Sequence, residues 1–298
     1  MKVLVTGAGG FVGGRLLPRL EREGARVVGI DRELDVSRPA GIDALLDAER
    51  PNAIVHLAAL SSVPRSRAEP DLTYRVNFLG TRVVLDATRR FAPGARVLVV
   101  STGEVYGPLE PDAPPSTEAS PLRPASPYAA AKASADLLAR SFAAGGLDVV
   151  RARPFNHTGP GQRDEFVASS FARQIAEIEA GVRAPRLAVG NLDSVRDFLD
   201  VDDVIEAYWR LLDPATPAGV YNVATAGAVT IREVLDALLA HARVAPAVEV
   251  DPRLYRPTDA MRGDAHRIRQ ATGWEPRTPL RDTLGRLLDH WRQNVATA

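Results

Sequence analysis

Tyr128 and Lys132 stand four residues apart in the stretch Ser126-Pro127-Tyr128-Ala-Ala-Ala-Lys132. On a helix that spacing puts both side chains on one face. Ser126 is a natural N-cap and Pro127 suits the first helical position, so a helix is predicted to open here. A free phenol ionises near ~10 and is a poor acid–base group at neutral pH. A neighbouring ammonium, a helix N-terminus or a bound cation would each favour its phenolate. Tyr128 is therefore a candidate general acid for a carbonyl oxygen. The bland reading of the pair is a surface tyrosine beside a solvated lysine, and the spacing alone does not choose between the two.

A second group lies upstream. The apolar run Val97–Val100 reads as a buried strand that delivers Ser101-Thr102-Gly103-Glu104. Polar residues at the carboxyl end of a strand in an open α/β sheet sit where ligands bind. Thr102 is placed to hydrogen-bond a substrate oxygen beside Tyr128; its bland reading is a turn-forming hydroxyl.

The third group begins the chain: Thr6-Gly7-x-x-Gly10-x-x-Gly13, after the apolar run Val3–Val5. Strand, glycine turn and helix are the context a dinucleotide fingerprint needs, although the spacing is not strict G-x-G-x-x-G and glycine clusters also make ordinary turns. Gly7 permits a tight turn, Gly10 close approach of a pyrophosphate, and Gly13 close packing of helix on strand. The helix N-terminus offers free N–H groups to phosphate. Asp31 ends the second strand, where a carboxylate accepts from a ribose 2′-OH. It favours NAD(H). Arg32, next to it, could take a 2′-phosphate, which leaves NADP(H) open.

These groups need a scaffold that brings strand ends together. Strands are predicted at Val3–Thr6, Arg26–Ile30, Ala53–Leu57, Arg96–Val100 and Asp148–Arg153, with helices near Gly10–Glu23, Ile42–Arg50, Leu72–Arg90 and Pro127–Ala143. Such alternation implies an α/β fold with a doubly wound, Rossmann-type parallel sheet. Pro18 predicts a kink in the first helix. The proline-rich residues 107–126 read as an irregular loop over the carboxyl edge of the sheet. Beyond residue 154 the pattern loosens, with helices expected at Glu165–Ala180, Val201–Leu212, Ile231–Ala242 and Arg281–Asn294 and strands near Arg186–Val189 and Val220–Val223. The expected division is a dinucleotide-binding domain over 1–154 and a smaller substrate lobe over 155–298, with some segments returning to the sheet.

The chain has 298 residues, and its 37 Lys+Arg balance its 37 Asp+Glu. No basic block points to nucleic acid or an anionic membrane. The lack of cysteine removes disulfides and thiolate chemistry. The five histidines show no metal-type spacing, so no metal is expected. With no signal-peptide layout or membrane-length apolar run, a cytoplasmic protein is expected.

Together the glycine turn, His56-Leu57-Ala58-Ala59, Asn77-x-x-Gly80-Thr81, Thr102 and Tyr128-x-x-x-Lys132 resemble the extended short-chain dehydrogenase/reductase family, in that family's order. The resemblance implies NAD or NADP binding, with Thr102, Tyr128 and Lys132 catalytic. Phe11, Val12, Arg32, Asp35, Val36 and Asn77 join the expected cofactor contacts, and Leu57, Ala58, Ala59, Pro154 and Phe155 the nicotinamide side. Arg153-Pro-Phe-Asn-His-Thr-Gly-Pro-Gly-Gln162, Val189-Gly-Asn-Leu-Asp-Ser-Val-Arg-Asp197 and Tyr255-Arg-Pro-Thr-Asp259 narrow the resemblance to the GDP-mannose branch of dehydratases and reductases. By that likeness Asn156 holds the sugar or first phosphate, Arg196 and Arg256 clamp the diphosphate, and Asp259 lies near the guanosine. Val167 and Asn191 are further expected substrate contacts. Guanidinium forks suit a diphosphate better than ammonium groups do.

Within the branch, reduction of a GDP-linked 4-keto-6-deoxy sugar is expected. Dehydration is the first rival, because Glu104 occupies the place of the dehydratases' base. Gly103, however, stands where dehydratases usually carry Ser or Asp, and their long insertion after the second strand is missing. The same fold also serves nucleotide-sugar epimerases, and a non-catalytic NAD(P)-sensing protein would share the glycine turn. A homodimer through the helices Leu72–Arg90 and Pro127–Ala143 is implied by resemblance.

Overall fold

The computed structural model describes residues 1–110, 112–255 and 257–296. Its first half alternates as the apolar periodicity requires. β1 (Lys2–Thr6), α1 (Gly13–Arg22), β2 (Arg26–Ile30), α2 (Pro39–Glu49) and β3 (Ala53–His56) form the first crossovers. α3 (Val63–Ala68), α4 (Pro70–Tyr74), a π-helical turn over Arg75–Leu79 and α5 (Gly80–Phe91) follow. β4 (Arg96–Val100), α6 (Pro127–Ala144) and β5 (Val149–Pro154) complete that half. The helix expected over Leu72–Arg90 is thus three segments. Thr73 and Thr81 turn their hydroxyls back onto carbonyls four residues earlier, a bond that loosens the helical ladder. α1 opens at Gly13 rather than Gly10, and it continues past Pro18 to Arg22.

The second half holds β6 (Asn156–Thr158), α7 (Val167–Glu179), β7 (Arg186–Val189), β8 (Val195–Arg196), β9 (Phe198–Asp200) and α8 (Val201–Leu211). β10 (Gly219–Val223), β11 (Val229–Thr230), α9 (Ile231–Leu239), β12 (Ala247–Val250), β13 (Ala260–Met261), α10 (His266–Thr272) and α11 (Leu280–Ala296) end it. One six-stranded parallel sheet runs in the order β10-β5-β4-β3-β1-β2. Its order reverses next to β1, which opens a crevice at the carboxyl ends of β1 and β3. The described part of residues 107–126 is irregular and is tied down by isolated bridges, Leu109 to Ala260 and Ser116 to Gly263.

Three apolar cores hold these layers. Leu16, Leu98, Val150, Val204 and Tyr208 pack on one sheet face, and Leu4, Ile54, Val84, Val97 and Val149 on the other. Both α8 and β10 come from beyond residue 155, so the sheet is completed by returning segments. A separate core of Phe171, Leu187, Leu235 and Leu287 binds α7, β7, α9 and α11 into the smaller lobe. No described helix is long and apolar enough to cross a membrane.

Candidate active site

At the head of the crevice Gly7 has φ +72°, and a Cβ there would lie 2.8 Å from the Ala58 nitrogen. A Cβ on Gly13 would lie 2.3 Å from the Gly7 oxygen. Neither position admits a side chain without moving backbone. The turn therefore presses against the Leu57–Leu60 loop and opens α1 towards the cavity. The Asp31 carboxylate leans over the turn, since a Cβ on Gly9 would meet its Oδ2.

A cavity of about 800 Å³ runs from this turn to the end of β4. Gly7, Gly10, Phe11, Val12 and Gly13 form one wall, and Asp31, Arg32, Asp35 and Val36 form its far end. Leu57, Ala58 and Ala59 line the floor, with Pro154, Phe155 and Asn156 opposite. Thr102, Glu104, Tyr128 and Lys132 meet in the same cavity. The glycine cradle, the overhanging carboxylate and this size fit a dinucleotide.

α6 starts as the sequence dictates. Ser126 accepts from the Ala129 nitrogen at 3.1 Å, with Pro127 in the first turn. Tyr128 and Lys132 are both buried. Burial pushes the phenol above its ordinary range, the Glu104 charge adds to this, and a bond to Thr102 works against it. Within the chain alone, before any cofactor cation acts, burial thus outweighs the groups expected to favour the phenolate. In this structure Lys132 donates to the Val100 oxygen at 2.6 Å. Burial lowers the Lys132 ammonium to about 8, and Asp136 resists that change. Thr102 also caps the short helix Gly103–Tyr106 by accepting from the Glu104 nitrogen at 3.2 Å.

Gly103 is packed against an aromatic ring. A Cβ there would stand 2.9 Å from Phe155 Cδ1, and one on Gly263 would stand 2.4 Å from Phe155 Cε2. The Phe155 ring also stacks on Tyr106 at 6.2 Å. Asn156 presents a buried Oδ1 without a hydrogen-bond partner among the described residues.

The remaining expected residues lie elsewhere. Asn77 stands behind the floor and bonds both backbone groups of Leu60. Val167 opens α7, outside the cavity wall. Asn191 donates to Thr258 at 2.9 Å, and Arg196 pairs with Asp259 at 2.8 Å. None of these side chains lines the cavity wall. Arg256 lies outside the described residues. Among the wall residues given no role from the sequence are Ser101, Tyr208 and His157. Ser101 has a buried, unpartnered Oγ beside Thr102. Tyr208 reaches the cavity from α8, near enough to Tyr128 for the two phenols to interact. His157 stacks flat on Phe11 at 6.3 Å. Ser101 could have been read from its place at the end of β4 and His157 from the 153–162 motif that contains it; Tyr208 carries no comparable signal.

This arrangement can bind a dinucleotide and set a hydroxyl and a phenol against one carbonyl oxygen. The GDP-mannose 4,6 dehydratase family profile matches residues 32–287. The GDP-6-deoxy-D-mannose reductase of Pseudomonas aeruginosa is 36% identical over 99% of this chain and 98% of its own. The dTDP-glucose 4,6-dehydratase of Streptomyces antibioticus is 34% identical, covering 99% of this chain and 94% of its own. The solved structure of RMD from Pseudomonas aeruginosa complexed with NADPH superposes with a TM-score of 0.90 at 36% identity, covering 98% of this chain and 99% of that one. Site geometry, family profile and full-length kinship agree: the chain belongs to the extended short-chain dehydrogenases/reductases, in the GDP-mannose 4,6-dehydratase family of NAD(P)-dependent nucleotide-sugar enzymes.

Proposed function

We propose that the chain reduces the C4 ketone of a GDP-linked 4-keto-6-deoxyhexose, giving a GDP-6-deoxyhexose such as GDP-D-rhamnose. The observation that carries this reading is the convergence of Thr102, Tyr128 and Lys132 on the cavity that begins at the glycine turn. A bound nicotinamide dinucleotide supplies the hydride. Tyr128 keeps its proton at neutral pH because burial holds the phenol neutral, and it delivers that proton to the sugar oxygen. Thr102 hydrogen-bonds the same oxygen and so fixes the carbonyl. Lys132, anchored on the Val100 oxygen, steadies the phenolate left behind. Gly7, Gly10 and Gly13 admit the pyrophosphate, and Asp31 receives the ribose. NADH fits the Asp31 carboxylate, while Arg32 and Arg75, both in the wall, suit NADPH.

Asn156 is assigned to the sugar or first phosphate, and Arg196 and Arg256 to the diphosphate. Asp259, paired with Arg196, is assigned to the guanosine side, and Asn191 to the substrate. A homodimer through α4, the π-turn, α5 and α6 is part of the reading. Tyr74, Leu79 and Leu137 are 39%, 40% and 53% exposed on those elements, apolar surface that a partner's helices would cover.

Dehydration is the second reading, favoured by Glu104 in the cavity wall. Elimination of water needs an acid for the leaving hydroxyl as well as a base. Gly103 supplies no such group, and Phe155 fills the space its side chain would need. The test is incubation with GDP-mannose alone, and separately with GDP-4-keto-6-deoxymannose plus NADPH or NADH. The reductase reading expects dinucleotide oxidation and a 6-deoxyhexose by NMR in the second mixture only. Consumption of GDP-mannose without added dinucleotide would instead establish the dehydratase.

A further inference from the structure

His56 is buried at 2% exposure. It is not in the wall of the cavity described above, yet every proton around it is fixed by its neighbours. The Thr81 hydroxyl spends its hydrogen on the Asn77 oxygen at 2.7 Å. Towards His56 Nε2, at 3.1 Å, it can therefore only accept. Nε2 then carries the ring proton. A neutral imidazole has one, so Nδ1 is bare and accepts from the Thr6 hydroxyl at 2.8 Å. The Thr6 oxygen in turn accepts the Ala58 N–H at 3.1 Å. Burial and the nearby Lys132 ammonium keep the ring uncharged.

The bonds run in one direction: Ala58 N–H to Thr6, Thr6 to His56, His56 to Thr81, Thr81 to the Asn77 carbonyl. Asn77 closes the path. Its side chain accepts from the Leu60 nitrogen at 2.8 Å and donates to the Leu60 oxygen at 3.0 Å. Both ends of the path thus hold the backbone of one loop, and Ala58 and Leu60 line the cavity. Thr6 directly precedes Gly7, whose turn packs on Ala58.

We propose that His56 is a positioning residue for dinucleotide binding. As the neutral Nε2–H tautomer it ties the glycine turn, the Ala58–Leu60 loop and the π-turn at Asn77 into one hydrogen-bonded circuit. This inference rests on the reading that the cavity holds NAD(P)H. The Thr6 arm matters most, because within this circuit it links the pyrophosphate turn to the cavity floor. A protonated ring would donate from both nitrogens and could not accept from Thr6.

Asparagine and glutamine divide the ring's two functions. His56→Asn keeps an acceptor near the Nδ1 position, and His56→Gln keeps a donor near the Nε2 position. Calorimetric titration with NADPH and with NADH, steady-state kinetics, and hydrogen exchange at the Ala58 amide of the ligand-free chain are the measurements. His56→Gln is expected to weaken dinucleotide binding about tenfold, the scale of one lost buried hydrogen bond. The loss should fall on the dinucleotide KM more than on kcat, with faster Ala58 exchange. His56→Asn should restore most of the affinity and the Ala58 protection. Thr6→Val, nearly isosteric, should reproduce the His56→Gln result should the histidine variants fail to fold. Equal losses in His56→Asn and His56→Gln, or unchanged Ala58 protection in both His56→Gln and Thr6→Val, would overturn the proposal. A wild-type chain that binds neither dinucleotide would instead refute the cofactor reading, while hydrogen exchange would still decide whether the circuit holds the loop.

Discussion

At the residue scale the active groups divide into a proton source and its support. Tyr128→Phe removes only the phenol, so about 10²- to 10⁴-fold of kcat should go with it, the usual share of a general acid. Dinucleotide binding should survive; a variant with unchanged turnover would remove Tyr128 from the mechanism. Lys132 sets a pH limit. Its ammonium is lowered to about 8, so the charged form predominates below that pH and is lost above it. Because kcat/KM reports ionisations of the free enzyme, its profile should fall as pH rises through about 8. A profile flat to about pH 10, where an ordinary lysine would titrate, would refute the role of the charge. The sequence exposes these residues because their spacing is local: a cap, a proline and a four-residue repeat. It does not expose the raised phenol, because the burial and the Glu104 charge that raise it come from packing between distant parts of the chain. Tyr208 is hidden for the same reason, since only the packing of α8 on the sheet brings it to the wall.

At the element scale, α6 holds the two catalytic candidates and must not rotate on the sheet. One turn beyond Lys132 it carries Asp136, which is fully buried. The Asp136 carboxylate takes both Arg153 Nε and Nη2 at 2.9 Å, and Arg151 Nη1 at 2.8 Å. Burial pushes its pKa up, but the two guanidiniums outweigh that and hold it below the usual range. Arg153 also donates to Tyr106 at 2.8 Å, and Tyr106 to Asn222 on β10 at 2.6 Å. Helix and three chain segments are thereby joined through one carboxylate. Asp136→Ala would leave two guanidiniums buried without their partner and should cost about 3–5 kcal/mol in urea unfolding. A loss below about 1 kcal/mol, the scale of an exposed pair, would show that water replaces the carboxylate. On the outer side of the same helix, Leu137 is the residue to charge. Leu137→Arg should convert a homodimer to monomer by sedimentation, and a wild-type chain that sediments as a monomer would refute the dimer. The sheet strands were legible as short apolar runs, and all five expected in the first half appear. The small strands β6, β8, β9, β11 and β13 were not, because pairs and triplets of residues carry no periodicity.

At the scale of the whole molecule, buried titrating groups set the response to acid. His56 is lowered to about 3 by burial and Lys132. His157 is lowered by burial, partly offset by its bond to the Phe155 carbonyl, and His290 is lowered by burial and Arg15. In the unfolded chain such rings protonate near ~6.5. Below that pH the unfolded state therefore binds protons the folded state refuses, and stability falls as pH drops. Each fully refused proton contributes up to about 1.4 kcal/mol per pH unit. Asp197 acts in the opposite sense. Burial raises it to about 6 against its bonds from Thr225, so from about that pH downward the folded state holds a proton the unfolded chain releases until about 4. Glu118, raised by burial, adds to that offset. The melting temperature should fall between about pH 7 and 5, less steeply than the histidines alone would dictate because Asp197 offsets part of the loss. Asp197→Asn removes the offset, so its decline from its own neutral-pH value should be larger than that of the wild type. His56→Asn removes one refused proton, so its decline should be smaller. Parallel melting curves for all three chains across this range would show that acid sensitivity lies in other groups, and that the neutral imidazole at the centre of the circuit is not titrating on unfolding as its burial requires.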